Sequence, residues 1–499
     1  MMSTPQNDST THPHLCNARV LLTDLTQLRE RILHSAKQRM ARWHPWIQRD
    51  SFQPYAYNLA CYLALRSEDL REYQLKLAPL GISTLGNSES HVLPTLNAVI
   101  ATLNHICGEA SVGYPTSTDF FLGQQRLSHE AEALFGSPPS GHETRIMVTL
   151  PSEAADDYAM EHHLVAKGVS VLRINCAHDT AAAWEKMATH VRRAASELGQ
   201  PSRVMMDLGG PKCRTGAVVR KPKHGRLMVG DTIHLSKHGA EPILSAECTV
   251  ECAVPEIIDQ LLEHAEVWID DGKLGTRVVQ KKADGVVLSV IKAPAKGAKV
   301  KAGKGLNFPG TALALDSLTP LDCENLQTVV RLADIVGYSF VKNTGDIEAL
   351  LRELSQYSDR KVMVIAKIET PEAVQNLPDI IAMAGGQSTL GIMIARGDLA
   401  VEVGYLKLSE IQEEMLWICE AASIPVIWAT QVLEHAMKDG VPSRAEITDA
   451  AMSGRAECVM LNKGEYVDDV VQLLDQLLSN MQNLRTKKQS HMPILEAWK

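Results

Sequence analysis

Five short apolar runs in this chain end in groups able to do chemistry. Lys367 and Glu369 close the run VMVIAKIE two residues apart, so on an extended strand both leave from one side and Ile368 from the other. Arg173 and Asn175 repeat the arrangement at the end of VSVLRIN; Asp207 ends RVMMD, Asp398 follows LGIMIA in the string ARGD, and Thr430 ends PVIWAT. A lone lysine or glutamate at a strand end is ordinarily a solvated loop residue. A lysine, an arginine and two carboxylates at one mouth would instead suit a magnesium-bound phosphate. Magnesium takes hard oxygen ligands, usually one or two carboxylates plus substrate oxygens. Fixed cations can neutralise the charge that spreads over a phosphoryl group in transfer.

Gathering these residues requires a scaffold, and the texture after Arg145 supplies one. Eight nearly apolar runs follow: RIMVT, VSVLRIN, RVMMDL, ADIVGYSF, VMVIAKIE, LGIMIARGD, PVIWAT and ECVMLN. Each reads as a strand buried on both faces. Helical patterns such as TAAAWEKMATHVRRAASELG and LSEIQEEMLWICEAAS lie between them. The prediction is an α/β fold, a (β/α)8 TIM barrel with its active site at the C-terminal strand ends. After DLGGPKCRTG the texture changes: VGDTIHLS, alternation around Val267, TRVVQ and GVVLSVIK, punctuated by glycine, predict a small inserted β-barrel lid domain. The chain rejoins the barrel near GKGLNFPG.

Upstream, Leu21, Leu25, Leu28 and Ile32, then Val92, Leu96, Val99 and Leu103, recur on single helix faces and predict an all-helical N-terminal domain. Between them Ser67 is placed as an N-cap and Gly81 as a stop. GYPTSTDF and GSPPSGHE read as a linker. The expected division is a disordered tail (1–14), helical domain and linker (15–140), barrel first part (141–216), lid (217–306), barrel second part (307–485) and a tail (486–499).

The 499 residues carry 50 basic and 59 acidic side chains, a net charge of −9, which argues against nucleic acid as a partner. No apolar run is long enough to span a membrane, and the polar start MMSTPQNDSTTHPH lacks a signal-peptide layout. Ten scattered cysteines without a CxxC predict a reduced, cytoplasmic protein. Cys176 and Cys213 flank site residues without an adjacent base and read as buried filler rather than nucleophiles. Lys292, Lys296, Lys299, Lys301 and Lys304 form an acid-free run; a solvated lid surface is the default, attraction of nucleotide phosphates the sharper reading.

The strings VLRINCAHD, MDLGGPKCRTG, IDDGKLG, KGLNFPG, IAKIET, GIMIARGDLA, PVIWATQVLE and PSRAEITDAA, in this order over roughly 145–465, resemble pyruvate kinase. The resemblance implies transfer of a phosphoryl group from phosphoenolpyruvate to ADP, giving pyruvate and ATP with Mg2+ or Mn2+, in a homo-oligomer. It implies that Glu369 and Asp398 hold the divalent metal and that Lys367 and Arg173 face the phosphoryl group. The backbone of Ala395, Arg396 and Gly397 would receive the substrate carboxylate at a helix start, with Ser339 beside the substrate. Thr430 would lie where the enolate carbon gains its proton, through water. Asn175, His178, Arg214, Asp271 and Lys304 would lie on the nucleotide side, His178 behind the contacts rather than as a base, with the lid closing over them. Asn175 and Asp207 would belong to a monovalent-cation site.

The sequence departs from that pattern in places. Ala177 stands where a serine is common, and Lys212 where many members have glutamate, which resembles the potassium-independent members: the Lys212 ammonium would replace K+. The first barrel turn reads TLPS where TIGP is usual, and the eighth strand ends in MLNKGEY instead of a Ser-Gly-Glu-Thr string. Beyond Tyr466 one closing helix is expected and the family's C-terminal regulatory domain is not. Two other readings remain open at this point. A metal-dependent pyruvate-enolate aldolase or lyase would need neither the lid nor Lys367, and a non-catalytic metabolite sensor would need no intact Lys367, Glu369, Asp398 and Thr430.

Overall fold

The structure, a computed structural model, describes residues 13–490 apart from 111–112, 222–224, 240, 242, 244–245, 358–360 and 488. Most of the expected tail at 1–14 and residues 491–499 lie outside the described residues.

The eight apolar runs form the eight parallel strands of one closed barrel. In chain order, with the lid strands included, these are β1 (Arg145–Thr149), β2 (Val171–Asn175), β3 (Arg203–Asp207), β4 (Thr215–Arg220), β5 (Thr232–Ser236), β6 (Cys248–Cys252), β7 (Glu266–Ile269), β8 (Leu274–Lys282), β9 (Gly285–Lys292), β10 (Leu306–Asn307), β11 (Ile335–Tyr338), β12 (Met363–Ile368), β13 (Leu390–Ala395), β14 (Val426–Ala429) and β15 (Cys458–Leu461). The barrel takes β1–β3 and β11–β15, each strand beside its chain neighbour and β15 closing on β1. Alternation along each strand separates two apolar sets. Met147, Val171, Met205, Ile335, Ile365, Met393, Ile427 and Cys458, one from each strand, pack together in the barrel interior. Their neighbours, such as Ile146, Leu172, Val204, Val336 and Val364, pack outward in the larger core with the surrounding helices. The chemistry is therefore aimed by parity: Lys367 and Glu369 continue the face of Ile365, Arg173 and Asn175 that of Val171, and Asp207 that of Met205.

The helices α1 (Pro13–Trp43), α2 (Gln53–Arg66), α3 (Arg71–Leu77), α4 (Val92–Cys107) and α5 (Ser117–Phe135) precede the barrel. Leu21, Leu25, Leu28 and Ile32 share one continuous core with Ile380 and Ile381 of the barrel's helical layer. The indole N–H of Trp43 donates to Asp379 (2.7 Å), and the backbone N–H groups of Gln48 and Arg49 donate to the Gly386 carbonyl (2.9 Å each). Two expectations fail here. Ser67 is the C-cap of α2, its N–H donating to Leu63, because the apolar pattern of α2 runs up to it. The stretch read as linker contains α5, opened by a capping box in which Thr116 and Asp119 satisfy each other's backbone N–H groups.

The far end of α5 closes the barrel floor. Ala131, Leu134 and Phe135 belong to the interior cluster, and Phe135 is fully buried. A glycine makes room: a Cβ at Gly391 would lie 2.6 Å from both Leu134 Cδ2 and Ile365 Cδ1. Arg145 fastens the join, donating from Nε to the Gly136 carbonyl at 3.0 Å.

The lid is a curled seven-stranded sheet, order β10-β7-β8-β9-β5-β6-β4, around its own core of Ile233, Val250, Val267, Leu288 and their neighbours. Its two edges approach at the hinge, where Leu306 N donates to the Cys213 carbonyl (2.9 Å) and Thr215 N to the Lys304 carbonyl (2.8 Å). Cys213 and Cys252, thirty-nine positions apart, place their sulfurs 3.3 Å from each other in that core. Where a tail was expected from 486, a short antiparallel pair joins Arg485–Thr486 to Gln489–Ser490.

Candidate active site

A cleft of about 340 Å³ opens at the C-terminal end of the barrel. It is lined by Arg173, Asn175, His178, Lys212, Arg214, Asp271, Ser339, Lys367, Glu369, Ala395, Gly397, Asp398 and Thr430 from the predicted set.

At its base Lys367 is buried among acceptors: its ammonium donates to Ser339 Oγ (2.7 Å) and lies 3.2 Å from both Asp207 Oδ2 and Glu369 Oε1. The Arg173 guanidinium grips the same Asp207 oxygen through Nε (2.9 Å) and NH2 (2.5 Å), and also donates to Thr149 Oγ1 at 3.1 Å. Gly337 allows this packing, since a Cβ there would meet Asp207 Oδ1 at 2.6 Å. Burial alone would push the Asp207 carboxyl up, but Lys367 and Arg173 outweigh it and hold it below its ordinary range. Burial likewise opposes the Lys367 charge, and Asp207 and Glu369 reverse that, so its pKa is raised. Glu369 is raised: burial dominates, Asp398 adds repulsion, and Lys367 offsets them only in part. Its other oxygen accepts the Phe340 N–H at 2.6 Å, presented by a left-handed turn (φ 56°) just past Ser339.

Asp398 sits in the first turn of α6 (Arg396–Val403), which starts directly from β13. Both its oxygens face Lys212 Nζ, at 2.8 and 2.9 Å. Lys212 thus reaches the carboxylate expected to bind divalent metal, not the Asn175–Asp207 pair it was expected to serve. Asp207 is already occupied by Arg173 and Lys367, and the Asn175 side-chain oxygen accepts the Ala177 N–H.

Two carboxylates that repel each other, each drawing in a lysine, form a hard-oxygen pair that calls for positive charge. Among the described residues no three His, Cys, Asp or Glu side chains gather as a complete protein cage. One or two carboxylates are what magnesium usually takes from a protein, completing its shell with substrate oxygens and water. The buried Asn307 carbonyl oxygen beside this pair has no hydrogen-bond partner among the described residues, while its amide faces Asp398 at 3.4 Å. The residues fit a divalent cation.

At the α6 start, the Gly397 N–H donates to Thr430 Oγ1 (2.6 Å), which itself donates to the Ala429 carbonyl (2.7 Å). Thr430 and Gln431 both have positive φ, 66° and 56°, a costly conformation for a β-branched residue that fixes the hydroxyl over the helix end. The Arg396 side chain turns away from the mouth: it stacks over Trp428, pairs with Asp449 and donates to the Ala429 and Thr430 carbonyls. Only its backbone remains available to a ligand. Lys304 is likewise outside the cleft lining, paired with Asp270 at 2.9 Å. His178, Arg214 and Asp271 do reach the cleft.

Sequence reasoning missed Asn307 with its partner Glu402 (3.2 Å), Asp322, whose carboxylate receives the Gly209 N–H (3.0 Å) and steadies the turn before Lys212, and Asn462 and Lys463 at the eighth strand end. The first lies within KGLNFPG and the last two within MLNKGEY, strings already noticed, but nothing local in them shows which side chain faces the cleft.

Comparison with known proteins agrees with this geometry. Residues 141–469 match the family model described as pyruvate kinase, barrel domain. The chain belongs to the pyruvate kinase family. It is 31% identical over 372 residues to a pyruvate kinase of Agrobacterium vitis, covering 72% of each chain. To pyruvate kinase 2 of Synechocystis it is 30% identical over 314 residues, 63% of this chain and 51% of that one, so it spans about half of that relative's length. A pyruvate kinase of Thermococcus litoralis is 29% identical over 351 residues, 69% of this chain and 70% of that one. Pyruvate kinases are phosphotransferases acting between phosphoenolpyruvate and ADP, and the family is generally magnesium-dependent. Among the described residues no helix is long and apolar enough to cross a membrane.

Proposed function

We propose that this chain catalyses phosphoryl transfer from phosphoenolpyruvate to ADP at the barrel mouth, yielding pyruvate and ATP. The observation that carries the reading is the convergence of Arg173, Lys367, Glu369 and Asp398, up to 225 positions apart in the chain, on one cleft. Glu369 and Asp398 would hold Mg2+ (or Mn2+), which when bound supplies charge neutralisation for the transferring group. Lys367, fixed by Ser339 and kept charged by two carboxylates, is placed to stabilise the phosphoryl group in flight. Arg173, braced by Asp207 and Thr149, presents its remaining face to the same phosphate. The substrate carboxylate would dock at the α6 N-terminus by displacing the Thr430 hydroxyl from Gly397 N–H. Thr430, so released, would guide the proton to the enolate carbon through water. Asn175, His178, Arg214 and Asp271 would face the nucleotide, with Lys304 joining only if its pair with Asp270 opens on lid closure.

Potassium is dispensable in this reading, because Arg173 and Lys367 already neutralise Asp207 of the expected monovalent-cation site and Lys212 adds a further positive charge beside Asp398. A homo-oligomer is part of the same proposal; the adjacent Tyr405 and Leu406, 66% and 89% exposed, offer apolar surface for it. The deciding experiment follows pyruvate from phosphoenolpyruvate and ADP. Wild type should turn over, and Lys367→Met should lose about a thousandfold or more in kcat, as expected for one fixed transition-state contact. A wild type that binds phosphoenolpyruvate without converting it would refute the proposal.

A further inference from the structure

The lid core brings two cysteines into contact. Cys213 Sγ and Cys252 Sγ lie 3.3 Å apart, and both residues are buried. Thirty-nine positions separate them in the chain, which is why Cys213 reads as isolated filler in the sequence. Folding pairs them: Thr215 of β4 stands opposite Cys252 of β6, and Ala253 N donates to the Arg214 carbonyl at 2.9 Å. Cys213 is therefore diagonal to Cys252 on one face of the two strands. A third cysteine of this core, Cys248, directs its S–H to the Thr249 carbonyl at 3.9 Å instead of to another sulfur.

The pair is both reachable and activated. Cys213 lines an apolar cavity of about 310 Å³ between lid and barrel, together with Ile257, Leu306, Phe308, Leu313 and Phe340. That is ample for hydrogen peroxide, which is little larger than water at about 30 Å³. The hydrogen bond between the sulfurs holds the Cys252 thiol below its ordinary range against burial, and together with burial it pushes Cys213 up. A readily ionised thiol beside a second, resolving cysteine is the arrangement of redox-sensing sulfurs. The position has consequences for the site. Lys212 and Arg214, on either side of Cys213, both line the active-site cleft, and the Cys213 carbonyl accepts the Leu306 N–H that joins the two edges of the lid.

We infer that Cys213 and Cys252 form a reversible redox modification site, oxidised by a hydroperoxide to a disulfide that restrains the lid hinge. Cys252, as the thiolate, takes the terminal oxygen of hydrogen peroxide; the O–O bond breaks, and the departing hydroxide takes up the proton the thiol had released. Cys213 Sγ then attacks the sulfenic sulfur, the S–O bond breaks, and the oxygen leaves as water with the Cys213 proton. Two thiols thus lose two electrons to one peroxide, which becomes two waters. An S–S bond of about 2.05 Å draws sulfurs now 3.3 Å apart together by about 1.2 Å, and so pulls on the strand that carries Lys212 and Arg214. Misplacement by about 1 Å costs an active site up to about a hundredfold. The bond itself is independent of the proposed reaction; its effect on turnover rests on that reading.

The test treats the reduced full chain with hydrogen peroxide and then with dithiothreitol. Peptide mapping should find Cys213 and Cys252 joined after the first step and separate after the second. Pyruvate formation from phosphoenolpyruvate and ADP should fall about 10- to 100-fold on oxidation and return on reduction. Cys213→Ser and Cys252→Ser should keep the reduced activity within about twofold and lose the reversible response, whereas Cys248→Ser should retain it. Cys252→Ala gives the same reading where a buried hydroxyl impairs folding. Absence of the linked peptide, or an equal reversible loss in Cys252→Ser, overturns the site; a linked protein with unchanged turnover overturns its hold on the hinge. Mapping needs no turnover, so a wild type that forms no pyruvate defeats the proposed reaction while the linkage is still decided by mass.

Discussion

Replacing Lys212 by glutamine removes a positive charge from the mouth while keeping most of the side chain. The Lys212 ammonium touches both Asp398 oxygens at 2.8 and 2.9 Å, and the two side chains are only 21% and 13% exposed. On the charge of a phosphoryl group bound about 4 Å away, at an effective dielectric constant of about 20, that ammonium would be worth about 4 kcal/mol. The solvent that still reaches Lys212 reduces this to about 2–3 kcal/mol, or about 30- to 150-fold in kcat/KM. The assay measures pyruvate formation at constant ionic strength, with tetramethylammonium or potassium as the monovalent cation. Wild type should be nearly indifferent to the choice. Lys212→Gln should be weakened in tetramethylammonium and partly restored by potassium, and Lys212→Arg should resemble wild type. A wild type that depends strongly on potassium would refute the reasoning, as would a Lys212→Gln variant fully active without it.

Three further outcomes are expected. Glu161 is fully buried, neither carboxylate oxygen has a hydrogen-bond partner among the described residues, and burial pushes its pKa up to about 8. The folded state therefore holds a proton that the unfolded chain releases from about pH 4.5, so stability declines as pH rises from there to about 8 and then levels off. Glu161→Gln should raise the melting temperature at pH 8 by an amount worth a few kcal/mol, moderated by His190 at 3.5 Å, and change little near pH 4.5; equal melting shifts at both pH values would count against it. Leu134→Ala should cost about 2–5 kcal/mol in denaturant unfolding. Gly391→Ala should also destabilise, but the double variant should lose less than the sum, because the new methyl fills the space the leucine vacates; strict additivity would contradict the contact.

The barrel was legible because all eight of its strands are buried on both faces and so read as unbroken apolar runs, and because parity alone sends Lys367, Glu369, Arg173 and Asp207 inward. Less was legible wherever burial is partial or polar. β4, with alternating exposure in TGAVVR, and β6, with CTVEC, carry too little apolar signal to stand out. α5 was hidden by its flanks, where the Thr116–Asp119 cap lies inside a string that resembles turn chemistry. Within the site, residue types were readable but partners were not. That Lys212 would choose Asp398 over Asp207 depends on Arg173 and Lys367 having taken Asp207 first, a competition settled only in three dimensions.

The α5 stopper has a consequence for where this protein can be cut. The stretch that aligns with the family begins at residue 141, six positions after Phe135. A fragment trimmed to that boundary would present Met147, Ile335 and Ile365 to water at an uncorked base, and should be recovered as insoluble material. By this reasoning the smallest soluble unit should include α5 as well as the stretch that matches the family model.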